Sequence, residues 1–310
     1  MTAIEARDPT TSGHSFRVAS LTVGLAKAID RAEGAFAGVR FSPDEMKEIR
    51  YASLLHDFGK VGVREEVLGK AKKLYPAQLE LIRQRFDFVR QTLTAETNKA
   101  KIDYLLQKGR EEYLAAQGKF DAELQMRTVE LDRYFETVLM SNEPTVTTEG
   151  SFGRLLEIAA KQYFDLEGSV QPLLTEDEVR LLSIRKGSLD DAERLQIESH
   201  VVHTYNFLKQ IPWTNEIRNI PQIARGHHEK LNGNGYPYKL SAPEIPLQTR
   251  MMTVSDVFDA LSAQDRPYKK AVATDRALTI LETMVADGEV DADVYRLFLE
   301  AKIYEKWKSE

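Results

Sequence analysis

The sequence of 310 residues contains no cysteine. Disulfide bonds and thiolate metal sites are therefore excluded, and any metal ion must be held by nitrogen and oxygen ligands. The lack of cysteine also fits a reducing compartment, and we predict a cytoplasmic location. The sequence has no run of about 18 apolar residues, and its first residues lack the apolar core of a signal peptide. No membrane span is predicted.

An excess of basic residues is also missing, because the net charge is −6 with 29% charged residues. A protein that wraps polymeric nucleic acid needs a broad positive surface, so we predict no such partner. A local basic pocket for a small anion is compatible with this composition.

Strand-like alternation is scarce, and helix signals dominate the sequence. Ser42 with Glu45, and Thr175 with Glu178, form capping boxes that predict helix starts. A further helix is expected to begin near Leu189. The main loop signal is the glycine- and asparagine-rich segment at residues 232–237. The sequence therefore predicts an all-α fold.

Residues from about 76 to 142 are rich in Glu, Gln, Arg, Lys, Ala and Leu. This pattern predicts a helical hairpin or coiled-coil-like insertion, and Gly118 offers a break between its two helices. Such segments usually mediate packing or dimerisation, so a protein partner or self-association is expected here. We predict a helical bundle domain from residues 1–70 and 171–310, interrupted by a helical insertion at residues 71–170.

Candidate chemistry centres on six histidines and nearby carboxylates. Imidazole and carboxylate ligands suit Zn, Fe, Mn or Ni when sulfur is missing. His56 lies on the apolar stripe of the helix that begins after Ser42, and Asp57 follows it. The Asp57 carboxylate could bridge two metal ions, and Lys60 could hold a phosphate oxygen. The alternative is a core histidine beside a solvated aspartate.

His200 and His203 lie three residues apart on one predicted helix. A spacing of 100° per residue places His200 on the inward face with Thr204 and leaves His203 at its edge. Partly buried helix histidines without a metal are the alternative. His227 and His228 could bind one metal only if the backbone turns there, and the following loop permits such a turn. A solvated histidine pair is the alternative. Glu229, the next residue, could orient one of these ligands through a hydrogen bond.

Asp256 lies on an apolar helix, with Asp259 one step round the surface. A buried carboxylate needs a partner, which a metal ion or a salt bridge to Arg266 would supply. In chain order, these histidines and aspartates with Lys60 form the set that a two-metal hydrolase requires.

Three segments resemble motifs of the HD-GYP family of HD phosphohydrolases, which act as cyclic di-GMP phosphodiesterases. Residues 54–62 read LLHDFGKVG, residues 227–237 read HHEKLNGNGYP, and residues 256–261 read DVFDAL. Residues 8–18, DPTTSGHSFRV, are similar to the opening helix of the family. The resemblance covers roughly residues 8–70 and 184–275, and a segment of about a hundred residues interrupts the usual short link.

The resemblance implies an all-helical fold and a site that holds two divalent metal ions, commonly iron or manganese. It implies hydrolysis of a cyclic dinucleotide, cyclic di-GMP first, with Asp57 and Lys60 in catalytic roles. Substrate contacts are expected from Lys60, Gly235, Tyr236 and Arg266. The implied metal ligands are His56, Asp57, His200, His227, His228 and Asp256.

Departures from the family pattern refine these expectations. Some members bind a third metal through a Glu that stands at Thr10 here, so we predict a dinuclear site. His14, His203 and Asp259 are additional candidates near it. Asn232 stands where the family usually has Asp, and His203 stands where a small residue is common. Two other functions stay open: a catalytically weak signalling protein that binds nucleotide or a protein partner, and a phosphohydrolase for another nucleotide.

Overall fold

The structure is a computed structural model that describes residues 13–145, 149–263 and 271–306. It confirms the predicted all-α fold, because helices dominate and the described residues contain a single two-stranded sheet. The helices are α1 (His14–Ile29), α2 (Pro43–Leu55), α3 (Glu65–Leu68), α4 (Pro76–Lys108), α5 (Arg110–Ser141), α6 (Glu149–Ala159), α7 (Glu176–Leu182), α8 (Asp191–Leu208), α9 (Ile220–Ala224), α10 (Leu247–Ser262), α11 (Thr274–Ala286), α12 (Ala292–Glu300) and α13 (Ile303–Lys306).

Contacts divide the chain into two compact units. One unit consists of Met1–Gly69 and Ala192–Glu310, and the other of Lys70–Asp191. The predicted domain boundaries, with an insertion at residues 71–170, stay a prediction. Thr10 and Arg266, which the sequence singled out, lie outside the described residues. No described helix is long and apolar enough to cross a membrane.

The larger unit is built around α1, which packs against α2 and α10. Its main core contains fully buried Leu25, Ile49, Phe258 and Phe298. A second cluster, which includes Met252, packs around α9 and the end of α8. Burial of these apolar side chains contributes roughly 25 cal/mol per Å². This packing brings the first turn of α1, the end of α2 and the middle of α10 together.

Capping residues set several helix starts as predicted. The Ser42 hydroxyl accepts a hydrogen bond from the Glu45 amide, and the Glu45 carboxylate accepts one from the Ser42 amide at 2.7 Å. Thr175 and Glu178 form the same reciprocal pair before α7. These caps satisfy amides that have no partner within the first helical turn. The helix expected near Leu189 begins at Asp191.

The smaller unit contains the predicted helical hairpin, formed by α4 and α5. The expected break at Gly118 was wrong, because Gly118 lies inside α5 and the chain turns at Gly109. Gly109 adopts a φ of 84°, a region that strongly favours glycine. Gly118 needs no such conformation, and a glycine inside a helix costs only about 1 kcal/mol.

A short β-hairpin in the smaller unit was not expected from the sequence. Its strands, β1 (Gln162–Phe164) and β2 (Val170–Pro172), pair antiparallel with Phe164 opposite Val170. The carboxylate of Asp165 accepts hydrogen bonds from the amides of Glu167 and Ser169 and so closes the turn. Strands of three residues are too short to give a recognisable alternation.

Candidate metal centre

The segment that carries His56 and Asp57 is fixed directly onto α8. Helix α2 ends at Leu55, and a 3-10 turn at Phe58–Gly62 follows Asp57. The Thr204 hydroxyl accepts a hydrogen bond from the Gly59 amide at 2.8 Å and donates one to the His56 carbonyl at 2.9 Å. Thr204 therefore binds both ends of this turn and holds it beside His200, one helical turn earlier on α8.

Three histidines are oriented by the same local hydrogen bond, from ring Nδ1 to the carbonyl oxygen three residues earlier. The pairs are His56 with Ser53 at 2.7 Å, His200 with Ile197 at 2.6 Å, and His227 with Ala224 at 2.7 Å. Because a carbonyl can only accept, Nδ1 carries the proton and Nε2 of the neutral ring keeps its lone pair. The Nε2 atom of His56 is buried without a hydrogen-bond partner among the described residues. Such an orphaned lone pair fits a metal ligand.

The two carboxylate oxygens of Asp57 face different sets of histidines. Its Oδ1 atom lies 3.2 Å from Nε2 of His200 and 3.8 Å from Nε2 of His227. Its Oδ2 atom lies 3.5 Å from Nε2 of His56 and 3.8 Å from Nε2 of His14. A carboxylate in this position can join two metal positions, as a bridging ligand does in dinuclear hydrolases.

Ligand atoms converge in two groups, and within each group they all lie within 4.8 Å of one another. The first group consists of Asp57, His200, His227 and His228; the second consists of His14, His56 and Asp256. The structure thus brings together the six residues predicted as metal ligands, and it adds His14. Nitrogen and oxygen donors of this kind fit first-row divalent metals such as iron and manganese.

Asp256 approaches the second group from α10. Its Oδ1 atom lies 3.1 Å from Nε2 of His14 and 3.8 Å from Nε2 of His56. Asp256 is buried on a helix that also buries Thr253 and Ser255. The histidines therefore supply the partners that the sequence required for this carboxylate.

Most of the imidazoles are held in the neutral form that binds metal. Burial lowers the pKa of His56 and outweighs the attraction of Asp57. Burial, together with neighbouring histidines, lowers the pKa of His227 well below its ordinary value. Burial also lowers the pKa of His228 to about 3. These rings need not lose a proton before they bind a metal ion at neutral pH.

The carboxylates of the centre remain ionised. Burial alone would raise the pKa of Asp57, but neighbouring groups, with the positive charge of Lys60 first among them, outweigh burial and hold this pKa well below the ordinary range. Burial would also raise the pKa of Asp256, but neighbouring groups, with the hydrogen bond from His14 first among them, lower it, so Asp256 is likewise ionised. The centre therefore offers two negative charges to cations.

Lys60 reaches the centre from the turn after Asp57. Its Nζ atom lies 2.7 Å from Oδ2 of Asp57, and its side chain is 19% exposed. A cation that contacts both the shared carboxylate and solvent is placed to meet an anion entering the centre. This arrangement supports the predicted phosphate contact, which stays a prediction.

The glycine-rich loop lies against the first group. The ring of Tyr236 lies 4.8 Å from the ring of His228 at an interplanar angle of 30°. The amide of Tyr236 donates a hydrogen bond to the His228 carbonyl at 3.2 Å. A Cβ on Gly235 would lie 2.4 Å from the Lys230 amide nitrogen, so packing of the loop requires glycine there. Substrate contacts by Gly235 and Tyr236 stay predictions.

The carboxylate of Glu229 binds the backbone of this loop and does not bind a histidine ring. Glu229 is only 2% exposed. Its carboxylate accepts hydrogen bonds from the amides of Tyr238 at 2.7 Å and Leu240 at 2.9 Å. The expectation that Glu229 orients a metal ligand is therefore wrong. Both carboxylate oxygens serve the backbone of the loop.

Two additional candidates lie outside both ligand groups. His203 is exposed at the edge of α8, where the carbon Cδ2 of its ring would lie 3.1 Å from a Cβ on Gly62. Asp259 binds His14 and Arg17 instead. Sequence reasoning missed the supporting roles of Arg17 and Thr204, although Thr204 shares the inward face of α8 with His200.

Parts of the chain are similar to known proteins. Residues 177–294 match the family model described as HD domain. A 3'3'-cGAMP-specific phosphodiesterase of Vibrio cholerae is 41% identical over 98 residues, which cover 32% of this chain and 20% of the relative. A cyclic di-GMP phosphodiesterase of Pseudomonas aeruginosa is 40% identical over 82 residues, which cover 26% of this chain and 19% of the relative. A cyclic di-GMP phosphodiesterase response regulator of Xanthomonas campestris is 51% identical over 59 residues, which cover 19% of this chain and 15% of the relative.

The chain is similar over residues 177–294 to HD domains and, over parts of its length, to these named phosphodiesterases. Its HD dipeptide is His56-Asp57, and its GYP tripeptide is Gly235-Tyr236-Pro237. The matched segments span about a fifth of the length of the first two of these HD-domain relatives, and less of the third. The remainder of each relative has no counterpart in these alignments.

Proposed function

We propose that this chain is a metal-dependent phosphodiesterase that hydrolyses a cyclic dinucleotide, with cyclic di-GMP as the first candidate substrate. The observation that carries the proposal is the shared Asp57, whose two oxygens face two separate groups of metal-ligand atoms. Two adjacent cation positions joined by one carboxylate suit the hydrolysis of a phosphodiester.

Two divalent ions, iron or manganese, would activate a water molecule at this centre and neutralise the charge of the phosphodiester. Asp57 keeps the two groups of ligands together, and Lys60 places a positive charge beside it for a phosphate oxygen. Addition of water breaks one phosphodiester bond of the ring and gives a linear dinucleotide. Tyr236 covers the ring of His228 and lies where it can border the substrate.

The names of the relatives support this substrate class and offer two members of it. Some relatives are named for cyclic di-GMP and others for 3'3'-cGAMP. The two nucleotides differ in one base, so discrimination between them depends on contacts outside the metal centre. We place cyclic di-GMP first because the three sequence motifs resemble the family that hydrolyses it.

A hydrolysis assay tests the proposal directly. Protein reconstituted anaerobically with Fe²⁺, or with Mn²⁺, is incubated with cyclic di-GMP, 3'3'-cGAMP and a panel of other nucleotides, and products are separated by chromatography. We expect linear dinucleotide from a cyclic dinucleotide, and loss of this product in His56→Ala and Asp57→Ala. His203→Gln is the matched control, because it removes a histidine outside both ligand groups.

The same assay separates the two other functions that the sequence left open. Product from a different phosphoester alone would identify a phosphohydrolase for another nucleotide. Metal and cyclic dinucleotide binding without product, with both metals tested, would contradict the proposed catalysis. It would instead identify a signalling protein that binds the nucleotide.

The helical insertion is proposed to bind a protein partner or a second copy of the chain. Supporting this, the far end of the α4–α5 hairpin exposes large apolar side chains, including Ile102, Leu106 and Leu114 at 57%, 79% and 58%. If the chain self-associates, deletion of residues 76–142 should lower the number of chains per particle, which light scattering gives as the particle mass divided by the chain mass. An unchanged number of chains and unchanged partner binding would contradict this role. The predicted cytoplasmic location likewise stays a proposal.

A further inference from the structure

His14 is the one histidine of the two ligand groups whose ring Nδ1 contacts a carboxylate. It occupies the first position of α1, so no carbonyl of that helix lies three residues before it. Its Nδ1 atom instead lies 2.7 Å from Oδ2 of Asp259, a residue 245 positions away on α10. The opposite ring nitrogen, Nε2, lies 3.1 Å from Oδ1 of Asp256. The ring is therefore fixed between two carboxylates of the same helix.

Asp259 is itself held by a forked pair of hydrogen bonds. Arg17 donates from Nε to Oδ1 at 2.6 Å and from one terminal nitrogen to Oδ2 at 3.0 Å. His14 and Arg17 stand three residues apart on α1, so both side chains project toward α10. Asp256 and Asp259 repeat this spacing on α10. The two aspartates therefore meet the two nitrogens of one imidazole.

A buried ion pair alone would explain the contact between Arg17 and Asp259. The arginine fork uses only part of the accepting capacity of the carboxylate, and Oδ2 is left able to accept a further hydrogen bond from Nδ1 of His14. Asp259 is 1% exposed and His14 is 2% exposed, so neither group can exchange its partner for water. The arrangement matches the carboxylate–histidine pairs that orient metal ligands in proteins.

We propose that Asp259, held by Arg17, is a positioning residue that fixes His14 as a ligand of the second metal group. This inference rests on the proposed metal centre. With a metal ion bound, Asp259 would keep the one remaining proton of His14 on Nδ1 and leave Nε2 to bind the ion beside His56 and Asp256. Arg17 prevents the Asp259 carboxylate from rotating away. The sequence had placed Asp259 among the candidate metal-site residues. In the proposed role Asp259 binds the ligand His14 and does not bind the metal itself.

Metal affinity is the first test, because it needs no nucleotide. Binding of Mn²⁺ to metal-free protein is measured by titration calorimetry in wild type, Asp259→Asn and Arg17→Lys. We expect two ions per wild-type chain. Asp259→Asn should lower the affinity for one of them about 10- to 100-fold and leave the other unchanged. Arg17→Lys keeps the positive charge but cannot make the paired hydrogen bonds to Asp259, so it should lower the Mn²⁺ affinity by less than Asp259→Asn does.

Asp291→Asn is the matched control. Asp291 pairs with Arg250 at 2.9 Å in the same unit, and it contacts neither ligand group. This variant also removes a half-buried arginine–aspartate pair, so it reports the effect of general destabilisation. It should bind two Mn²⁺ ions with wild-type affinity. Equal losses in Asp291→Asn and Asp259→Asn would overturn the proposal.

The protonation of the His14 ring gives a second readout that a merely structural role would not change. In Zn²⁺-loaded protein with ¹⁵N-labelled histidine, the His14 signal, identified by its absence in His14→Gln, should show a proton on Nδ1. Asp259→Asn should broaden or shift this signal while the signals of His200 and His227 stay in place. An unchanged His14 signal together with unchanged Mn²⁺ affinity would overturn the proposal.

Failure of this inference can be told from failure of the proposed function. Wild type that binds fewer than two Mn²⁺ ions would overturn both the metal centre and the role of Asp259. Wild type that binds two ions and hydrolyses no nucleotide would overturn the proposed function alone. The affinity difference between Asp259→Asn and Asp291→Asn would then still support the positioning role.

Discussion

The backbone of Gly59 lies directly against the backbone of His200. A Cβ on residue 59 would lie 1.9 Å from the His200 carbonyl oxygen and 2.5 Å from the Thr204 amide nitrogen. These atoms belong to the backbone of α8, so they cannot move aside as a flexible side chain would. The close approach places Asp57 within reach of His200, and only glycine permits it.

Gly59→Ala should therefore separate the HD segment from α8. We expect the free energy of unfolding to fall by about 1–3 kcal/mol, as overpacked sites do, and the affinity for metal to fall with it. Chemical denaturation and Mn²⁺ titration check the two effects. Gly118→Ala is the control, because a Cβ there meets nothing within 4 Å and should stabilise α5 by up to about 1 kcal/mol. Wild-type metal affinity in Gly59→Ala would contradict this account of the turn.

Glu229→Gln should loosen the glycine-rich loop without removing a metal ligand. The amide group can accept only one of the two backbone hydrogen bonds that the carboxylate now accepts, and it leaves one buried donor unsatisfied. We expect a loss of about 1–3 kcal/mol in stability and a higher KM for the cyclic dinucleotide, with two metals still bound. The comparison variant is Glu244→Gln, whose exposed side chain caps a single short turn. Equal stability of the two variants would argue against the anchoring role.

The stability of the metal-free protein should fall as the pH rises from about 6.5 to 9. Burial would lower the pKa of His14, but hydrogen bonds to Asp256 and Asp259 outweigh it and raise the pKa to about 9 from 6.5. The folded state thus binds a proton more tightly than the unfolded state. The contribution of this bound proton to the free energy of unfolding is complete below about pH 6.5 and is lost as the pH passes about 9.

Chemical denaturation in EDTA at several pH values measures this effect, which should be about 3 kcal/mol at most. The pKa values of His56, His227 and His228 are lowered in the folded state, so their titration in the unfolded state offsets the decline near pH 6.5, and the decline is steepest above about pH 7.5. His14→Gln should abolish the decline between pH 6.5 and 9. A wild-type curve that is flat across this window would show that His14 is not protonated in the folded, metal-free state.

Lys60→Met should lower turnover while leaving the metal content intact. The variant removes the positive charge that lies 2.7 Å from Oδ2 of Asp57 and keeps a side chain of similar length. We expect kcat to fall about 100-fold, the magnitude seen when one stabilising donor is lost. Lys27→Met, which changes an exposed lysine on α1, should keep wild-type kcat. Unchanged kcat in Lys60→Met would remove Lys60 from the catalytic site.

The residues of the metal centre could be predicted because each lies in a local motif that the sequence displays. The HD dipeptide, the histidine pair and the aspartate of α10 are visible without any knowledge of their distances. Their division into two groups could not be predicted, since it depends on which oxygen of Asp57 faces His200 and which faces His56. That choice is made by the packing of α2 against α1 and by the contact of the turn at Gly59 with α8.

The less predictable features rest on contacts between distant parts of the chain. Asp259 looked like a candidate site residue because it follows Asp256, and only the position of α1 shows that it binds His14 and Arg17. Glu229 looked like a partner for its neighbouring histidines, whereas the folded loop turns Tyr238 and Leu240 toward it. Gly118 was the helix break expected from the sequence, and only the backbone shows that Gly109 is the glycine with a positive φ.

Metal content in Asp57→Ala tests the central claim most directly. Wild type and His203→Gln, loaded with Mn²⁺ and freed of excess metal, should each contain two ions per chain by elemental analysis. Because both ligand groups depend on the Asp57 carboxylate, Asp57→Ala should retain fewer than one. Retention of two ions in a folded Asp57→Ala protein would contradict the shared-carboxylate centre.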